Sequence, residues 1–301
     1  MACLLTIAIL YSSFVQAQEF EPRSLGNLPV KSNFAILGYG YSIGNVLLDP
    51  AISIDDLNAR VHILAVGYLR SFNLFGKVAK VDVVLPYAIG DWEGRYVGID
   101  TATSRNGFGD ARIRLSVNII GSPVLKMSEF RNYKQKTILG FNIQVIAPTG
   151  QYYPDKLINL GSNRWTFRPQ VGVSHMMNRW ILEFYIGGWF FTKNNNFLNG
   201  NKLSQNPIGI TKVHAIYSFP KGVWLAADIG YGVGGRTLVN DVKRDTRISG
   251  MRFGLTTMIK IMKQHFLKLY VVSGIRFEKG SDYDMLGIAY QFTWMGKKAK
   301  K

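Results

Sequence analysis

Histidine and serine side chains are the first to test for catalysis, because one hydrolase arrangement, H-x-S-N-G, pairs them at a short spacing. None of the four histidines has such a neighbour, and their spacing is not that of a metal site; they are His62, His175, His214 and His265. The glycine-rich stretches GYGYSIG and GYGVGG lack the lysine and following helix of a phosphate-binding loop. The sequence therefore predicts no enzyme activity, no metal and no other cofactor.

Asp155 and Lys156, in the stretch YYPDKLINLGSNRW, are the residues most typical of a functional loop. An ion pair that only orders the loop explains them equally well. Both interpretations stay open at this stage.

The alternation of polar and apolar residues in GFGDARIRLSVNII, residues 107–120, is more informative. Polar residues occupy every second position, and apolar residues occupy the positions between them, which is the pattern of a β-strand with two unlike faces. In a soluble β-sandwich the apolar face would point inward. In a membrane barrel the apolar face would contact lipid, and the polar face would line the lumen. One strand cannot distinguish these cases.

The composition of the whole chain favours the membrane. Only 18% of the 301 residues are charged and 47% are hydrophobic, against roughly 25% charged in soluble domains. The net charge of +17 would suit nucleic acid, but the basic residues are scattered through apolar sequence, and only the terminal GKKAKK is dense. Nucleic-acid binding is therefore not predicted. Since no later run reaches the roughly 18 apolar residues of a transmembrane helix, strands must span the membrane.

The first residues have the features of an export signal. An apolar run from Cys3 to Val15 precedes the small-residue stretch VQA, which predicts a signal peptide over 1–17; a buried N-terminal segment is the alternative. Residues 18–30 are then a periplasmic segment, 31–295 the barrel and 296–301 a basic tail. Cys3 is the only cysteine, so thiol chemistry is not expected in the mature chain.

Strand and turn lengths predict an all-β fold, a transmembrane up-and-down antiparallel β-barrel of about twelve strands. Short periplasmic turns alternate with longer extracellular loops. The segment 122–135 is either a small plug or, more simply, a connector with one or two helical turns capped by Ser128. The strands are predicted near 31–42, 58–72, 78–89, 108–120, 135–148, 164–175, 179–192, 208–219, 222–234, 247–262, 264–277 and 283–295.

A barrel of this size should enclose a narrow, net positive lumen. Its charged rows could form a structural ladder or, secondarily, select anions. The lumen-lining candidates are Arg60, Asp82, Asp110, Arg112, Arg114, Asn118, Asn142, Gln144, Arg168, Glu183, Lys212, Asp228, Arg252, Lys268 and Arg276.

Several stretches carry a family resemblance. They include the G-x-G-D-x-R strand at residues 107–112, ARVHILAVGYLRSFNLFGKVAKVDVVLPYA, APTGQYYPDKLINLGSNRWTFRPQVGVS and GGWFFTKNNNF. Together they resemble the outer-membrane transporter family assigned to the MetA pathway of phenol degradation. The resemblance implies a barrel that transports small, often aromatic or hydrophobic compounds.

The expected function is passive uptake of such solutes across the outer membrane of a Gram-negative bacterium. The alternative is a structural or surface-binding barrel with a plugged lumen. The expected partners are outer-membrane lipids and lipopolysaccharide, the barrel-assembly machinery and a small-molecule solute, with the oligomeric state left open. The last strand, MLGIAYQFTW, resembles the C-terminal strand by which such barrels reach their assembly machinery.

Overall fold

The computed structural model describes residues 20–45, 50–52, 54–278 and 282–296. The predicted signal peptide and nearly all of the basic tail lie outside the described residues. Within them the strands are β1 (Ser32–Gly44), β2 (Asp55–Leu74), β3 (Lys77–Tyr96), β4 (Ile99–Phe108), β5 (Ala111–Ile120), β6 (Thr137–Ala147), β7 (Thr166–Met177), β8 (Trp180–Phe191), β9 (Asn194–Phe197), β10 (Asn201–Gln205), β11 (Ile208–Ser218), β12 (Trp224–Gly234), β13 (Thr237–Val239), β14 (Val242–Lys243), β15 (Ile248–Met262), β16 (His265–Arg276) and β17 (Tyr283–Met295). The helical turns are α1 (Met127–Phe130) and a 3-10 turn at Pro220–Gly222.

The large sheet closes on itself into a 12-stranded antiparallel barrel. β1 pairs with β2 on one side and with β17 on the other, in an unbroken register from Ser32↔Met295 to Gly44↔Tyr283. β4 and β5 count as one barrel strand, because each pairs with a different part of β3. Closure gives backbone groups strand partners throughout, which a lipid environment requires because it offers no hydrogen bonds of its own. The predicted fold class is confirmed.

Side-chain alternation assigns the two faces of the wall. In β8, Glu183 and Tyr185 are buried, whereas their neighbours Leu182, Phe184 and Ile186 are exposed by 43, 48 and 55%. The same alternation of exposed apolar and buried side chains recurs in β5, β7, β11 and β12. Apolar side chains therefore cover the outside, as expected for a surface in contact with hydrocarbon.

The long connections contain strands that local pattern did not predict. β2 and β3 are each 20 residues long, and with β4 they extend the barrel wall into the segment predicted as a loop at 90–106. β9, β10, β13 and β14 form a separate four-stranded sheet between two predicted loops. Such pairing joins segments far apart in sequence, so alternation within one segment does not reveal it.

The segment at 122–135 holds one helical turn, within the one or two turns predicted for it. The predicted cap is wrong, however: the N-cap is Lys126, whose backbone N–H donates to the carboxylate of Glu129 at 2.6 Å, and not Ser128. Partial burial raises the pKa of Tyr133, which donates to Gly121 O in this connector. Among the described residues, no helix has the length and apolar character to cross a membrane.

Candidate functional site: the barrel lumen

The polar half of the inner wall is built by β5 to β8, β11, β12 and β15. Beside apolar residues such as Ile138 and Ile216, these strands turn many polar side chains inward, and those side chains are almost wholly buried. They include Asn118, Asn142, Gln144, Arg168, Gln170, Glu183, Lys212, His214, Asp228 and Arg252. Such groups need partners, because an unpaired buried polar group is costly.

Residues 20–31, called here the N-terminal segment, supply many of those partners from inside the barrel. The backbone N–H of Arg23 donates to Glu183 Oε2 at 2.8 Å. Lys80 Nζ donates to the carbonyl oxygens of Ser24 and Gly26, and Asn118 Nδ2 donates to Leu25 O at 2.9 Å. The prediction of a periplasmic segment at 18–30 is therefore corrected for its described part: the backbone polar groups of the segment pair with the polar wall.

Glycines in the wall make room for the apolar side chains of this segment. Leu25 is fully buried, and a Cβ added at Gly140 would lie 2.4 Å from its Cδ2 atom. A Cβ at Gly254 would lie 2.7 Å from Cδ2 of Phe20. A larger residue at either position would collide with the segment. The two glycines thus leave the space that the side chains of Leu25 and Phe20 fill.

A cluster of charges, called here the Glu21 cluster, joins the segment to the wall. The Glu21 carboxylate forms an ion pair with Arg114 and lies 3.6 Å from Nη2 of Arg168. Arg114 also donates to Asp82 at 2.9 Å, and Arg168 Nη2 donates to Gln144 Oε1 at 2.7 Å. All four charged side chains are less than 20% exposed. Two guanidinium groups therefore converge on one carboxylate inside the barrel.

A buried His–Asp pair lies beside the end of the segment. His214 Nδ1 is 2.6 Å from Asp228 Oδ1, and the hydroxyl of Thr256 donates to Asp228 Oδ2 at 2.9 Å. Phe20 packs edge-on against the histidine ring. In a nucleophilic triad the histidine stands between the acid and the hydroxyl, whereas here the acid stands between the other two. These contacts do not form a nucleophilic triad.

The other half of the inner wall, called here the apolar wall, is formed by β16, β17, β1 and β2, whereas β3 contributes Lys80 and Asp82 to the polar half. Beside the inward Lys268 and Tyr270 of β16, it carries a set of small or aliphatic side chains: Ile36, Gly38, Ile63, Ala65, Val272, Met285 and Ala289. A Cβ at Gly38 would lie 3.8 Å from both Ala65 Cβ and Ala289 Cβ, so these positions share one face. All seven residues are partly exposed, in contrast to the buried polar half. Lumen space is thus accessible along the apolar wall.

A cap loop, residues 148–165, folds over the end of the barrel that carries the long connections. Its anchor is Asp110, whose carboxylate accepts from Gly150 N at 2.8 Å and from the backbone and hydroxyl of Ser162 at 2.8 and 2.7 Å. The buried Ile158 packs against Val61 and Trp92. Asp110, predicted as a lumen-lining residue, therefore ties down the cap loop.

The remaining candidates divide by position. Arg60 departs from the prediction: it is exposed on the face opposite the buried Ala59 and Val61, near the end of β2, where a charge need not turn inward. Asp155 and Lys156 are more than half exposed and pair with each other at 2.7 Å, which lowers the pKa of Asp155 through the hydrogen bond from Lys156. The inward positions also include Arg112 on β5, Arg252 over Tyr283, Lys268 over Tyr270 and Arg276 near Asp282.

No strand pattern in the sequence marks the N-terminal segment as a part of the lumen. The feature that could have revealed the segment is the excess of basic over acidic residues on the predicted polar face. A buried excess of positive charge requires an anion from outside the strands. Glu21 supplies that anion. Among the described residues, no group of three or more His, Cys, Asp or Glu side chains is placed to hold a metal ion.

Comparison with known proteins agrees with this architecture. The family described as "Putative MetA-pathway of phenol degradation" matches residues 55–292. The chain is similar to the COG4313 outer membrane channel from Pseudomonas putida F1, with 19% identity, a TM-score of 0.75 and coverage of 92% of this chain and 100% of that one. It is also similar in fold to the NanC porin, with 9% identity, a TM-score of 0.50 and coverage of 87% and 98%. No curated protein sequence matches the chain significantly.

Proposed function

We propose that this chain, which belongs to the family described for the MetA pathway of phenol degradation, is a passive channel for small hydrophobic or aromatic solutes. It is an outer-membrane β-barrel with the fold of outer-membrane channels. The observation that carries the proposal is the partly exposed apolar wall, which faces the segment-covered polar half.

The apolar wall suits a solute that must bind weakly and leave again. Contact with apolar surface stabilises a solute by roughly 25 cal/mol per Å² removed from water, and it imposes little orientation. Conduction requires sites that are favourable enough to enter and weak enough to leave. A row of small aliphatic side chains such as Ala65 and Ala289 meets both conditions.

A structural or surface-binding barrel with a plugged lumen is the second candidate. The N-terminal segment inside the barrel and the cap loop over its mouth favour it. Under this function the exposed loop surfaces, including Asp155 and Lys156, would recognise an external partner.

Solute flux into proteoliposomes distinguishes the two functions. Phenylalanine and glutamine cross lipid slowly and differ mainly in the apolar character of their side chains, so wild-type protein should admit phenylalanine several-fold faster. Ala65→Asp, opposite Gly38 and Pro86 on the neighbouring strands, places a charge on the apolar wall and should reduce that preference. Gln291→Glu, on the inner face of β17, adds the same charge at a position that is already polar and should change it little. Absence of flux for both solutes would favour the plugged barrel.

A further inference from the structure

We infer that Arg114 and Arg168 form a binding site for a small carboxylate solute, a site that Glu21 of the chain's own N-terminal segment occupies in this structure. The inference rests on the proposed channel function, because a solute reaches these residues only through the lumen. It adds a chemical class of ligand, small monocarboxylates, to a channel otherwise described by its apolar wall.

The two guanidinium groups are held by the barrel wall and not by the segment. Arg168 is fully buried, donates to Gln144 at 2.7 Å and lies over the Trp189 ring at 4.8 Å. Arg114 is held by Asp82 at 2.9 Å. Both cations thus keep their places when Glu21 leaves, on β5 and β7, which pair with the two sides of β6 in a rigid sheet. The wall is prearranged for an anion, which is the condition for binding at low entropic cost.

Glu21 differs from the other partners because it lies outside the strands. It reaches the cluster on a segment that joins the barrel wall through Lys31 and β1. The segment is held by backbone hydrogen bonds, such as Leu25 O with Asn118, and by the buried side chains of Phe20 and Leu25. Displacement requires only that the Glu21 side chain turns away from the two arginines. A tethered group competes with free ligand at an effective concentration of about millimolar. A free carboxylate at millimolar concentration can therefore displace Glu21.

The chemistry of the site favours a carboxylate over other anions. Guanidinium groups bind a planar carboxylate through paired N–H donors, which a spherical halide cannot accept in the same way. The residue before Glu21 is Phe20, whose ring is buried against His214 and the Gly254 backbone. The segment therefore places a phenyl ring and a carboxylate in the lumen together. An aromatic monocarboxylate such as benzoate carries both groups in one small molecule.

The test is calorimetric titration of the folded, detergent-solubilised full chain with benzoate, benzamide, acetate and chloride. Glu21→Gln should tighten benzoate binding about tenfold or more relative to wild type, because the competing carboxylate is gone, and should leave benzamide unchanged. Acetate should follow benzoate with lower affinity, and chloride should not compete. Asp155→Asn is the matched control: it removes the same charge on the exposed cap loop and should have no effect on benzoate binding.

A second pair of variants protects the test against misfolding. In the Glu21→Gln background, Arg168→Lys keeps the positive charge but loses the paired donors, and Arg168→Gln loses both. Benzoate affinity should fall in that order while heat-modifiable mobility on gels shows that the barrel remains folded. Equal benzoate binding by wild type and Glu21→Gln, or benzamide binding as tight as benzoate binding, would overturn the inference.

The site and the channel can fail separately. If benzoate responds to Glu21→Gln but no variant passes phenylalanine or glutamine into proteoliposomes, the channel function fails and the carboxylate site stands. If flux is present and benzoate binding does not respond, the carboxylate site alone is wrong.

Discussion

At the scale of single residues, parity along the strand decides whether a side chain faces lipid or lumen. Leu115 and Arg114 are neighbours on β5, yet one is on the outer face and the other belongs to the Glu21 cluster. Charge alone is a weaker guide, as Arg60 shows: it shares a face with the exposed Leu64 and Val66. Near a strand end the outward face can meet headgroups or water, so a charge there is tolerated.

Placing arginine on the outer face of β5 tests this assignment. Leu115→Arg should reduce the free energy of unfolding by roughly 2 to 4 kcal/mol, as expected for a charge near the bilayer midplane. Ile120→Arg, on an exposed residue at the end of the same strand, should cost about 0 to 1 kcal/mol because the interface is close. Urea titration in lipid, followed by gel mobility, measures both. Equal losses would mean that depth does not matter here and that the face assignment is wrong.

At the scale of elements, the N-terminal segment behaves as part of the wall's packing although it is not a strand. Leu25 forms a buried cluster with Ile138 and Tyr185, and its contact with Gly140 allows no additional atom. The segment is short and mixed in character, so its sequence showed no periodicity. Its place depends on partners contributed by several strands that only the closed barrel brings together.

Filling the glycine beneath Leu25 should loosen the segment. Gly140→Ala adds a Cβ 2.4 Å from Leu25, whereas Gly38→Ala, the matched control on the apolar wall, meets its nearest neighbours at 3.8 Å. With Ser24→Cys as a reporter, Gly140→Ala should increase labelling by a membrane-impermeant maleimide several-fold. The predicted mature chain has no other cysteine, so the label reports the segment. Equal labelling of the two glycine variants would contradict the packing of Leu25 against Gly140.

At the scale of the whole molecule, the barrel depends on one long-range junction between its first and last strands. β1 and β17 pair over thirteen positions, and Tyr39 stands opposite Ile288. Residues directly opposite in an antiparallel pair have Cβ atoms about 4.5 to 5.5 Å apart. This junction converts a sheet with two edges into a wall without edges, which lets it reside in lipid.

Paired cysteines test the register of closure. Tyr39→Cys with Ile288→Cys should form an intramolecular disulfide under mild oxidation and produce a folded barrel that resists unfolding on heating. Leu37→Cys with Ile288→Cys is displaced by two positions on the same face and should cross-link far less. Gel mobility with and without reductant measures both. Preferential cross-linking of the displaced pair would show that the strands pair in another register.

Sequence by itself determined the class of fold, because period-two alternation and strand length are local properties and lipid permits only closed sheets of such strands. Parity along β5 also placed its polar residues on the face opposite the exposed Ile113 and Leu115. Only the tertiary structure decided what those charges do. Glu21 reaches Arg114 across ninety-three positions of chain, and Asp110 anchors a loop forty positions away. Such contacts depend on the register of closure and on the path of unpatterned segments, which no local pattern encodes.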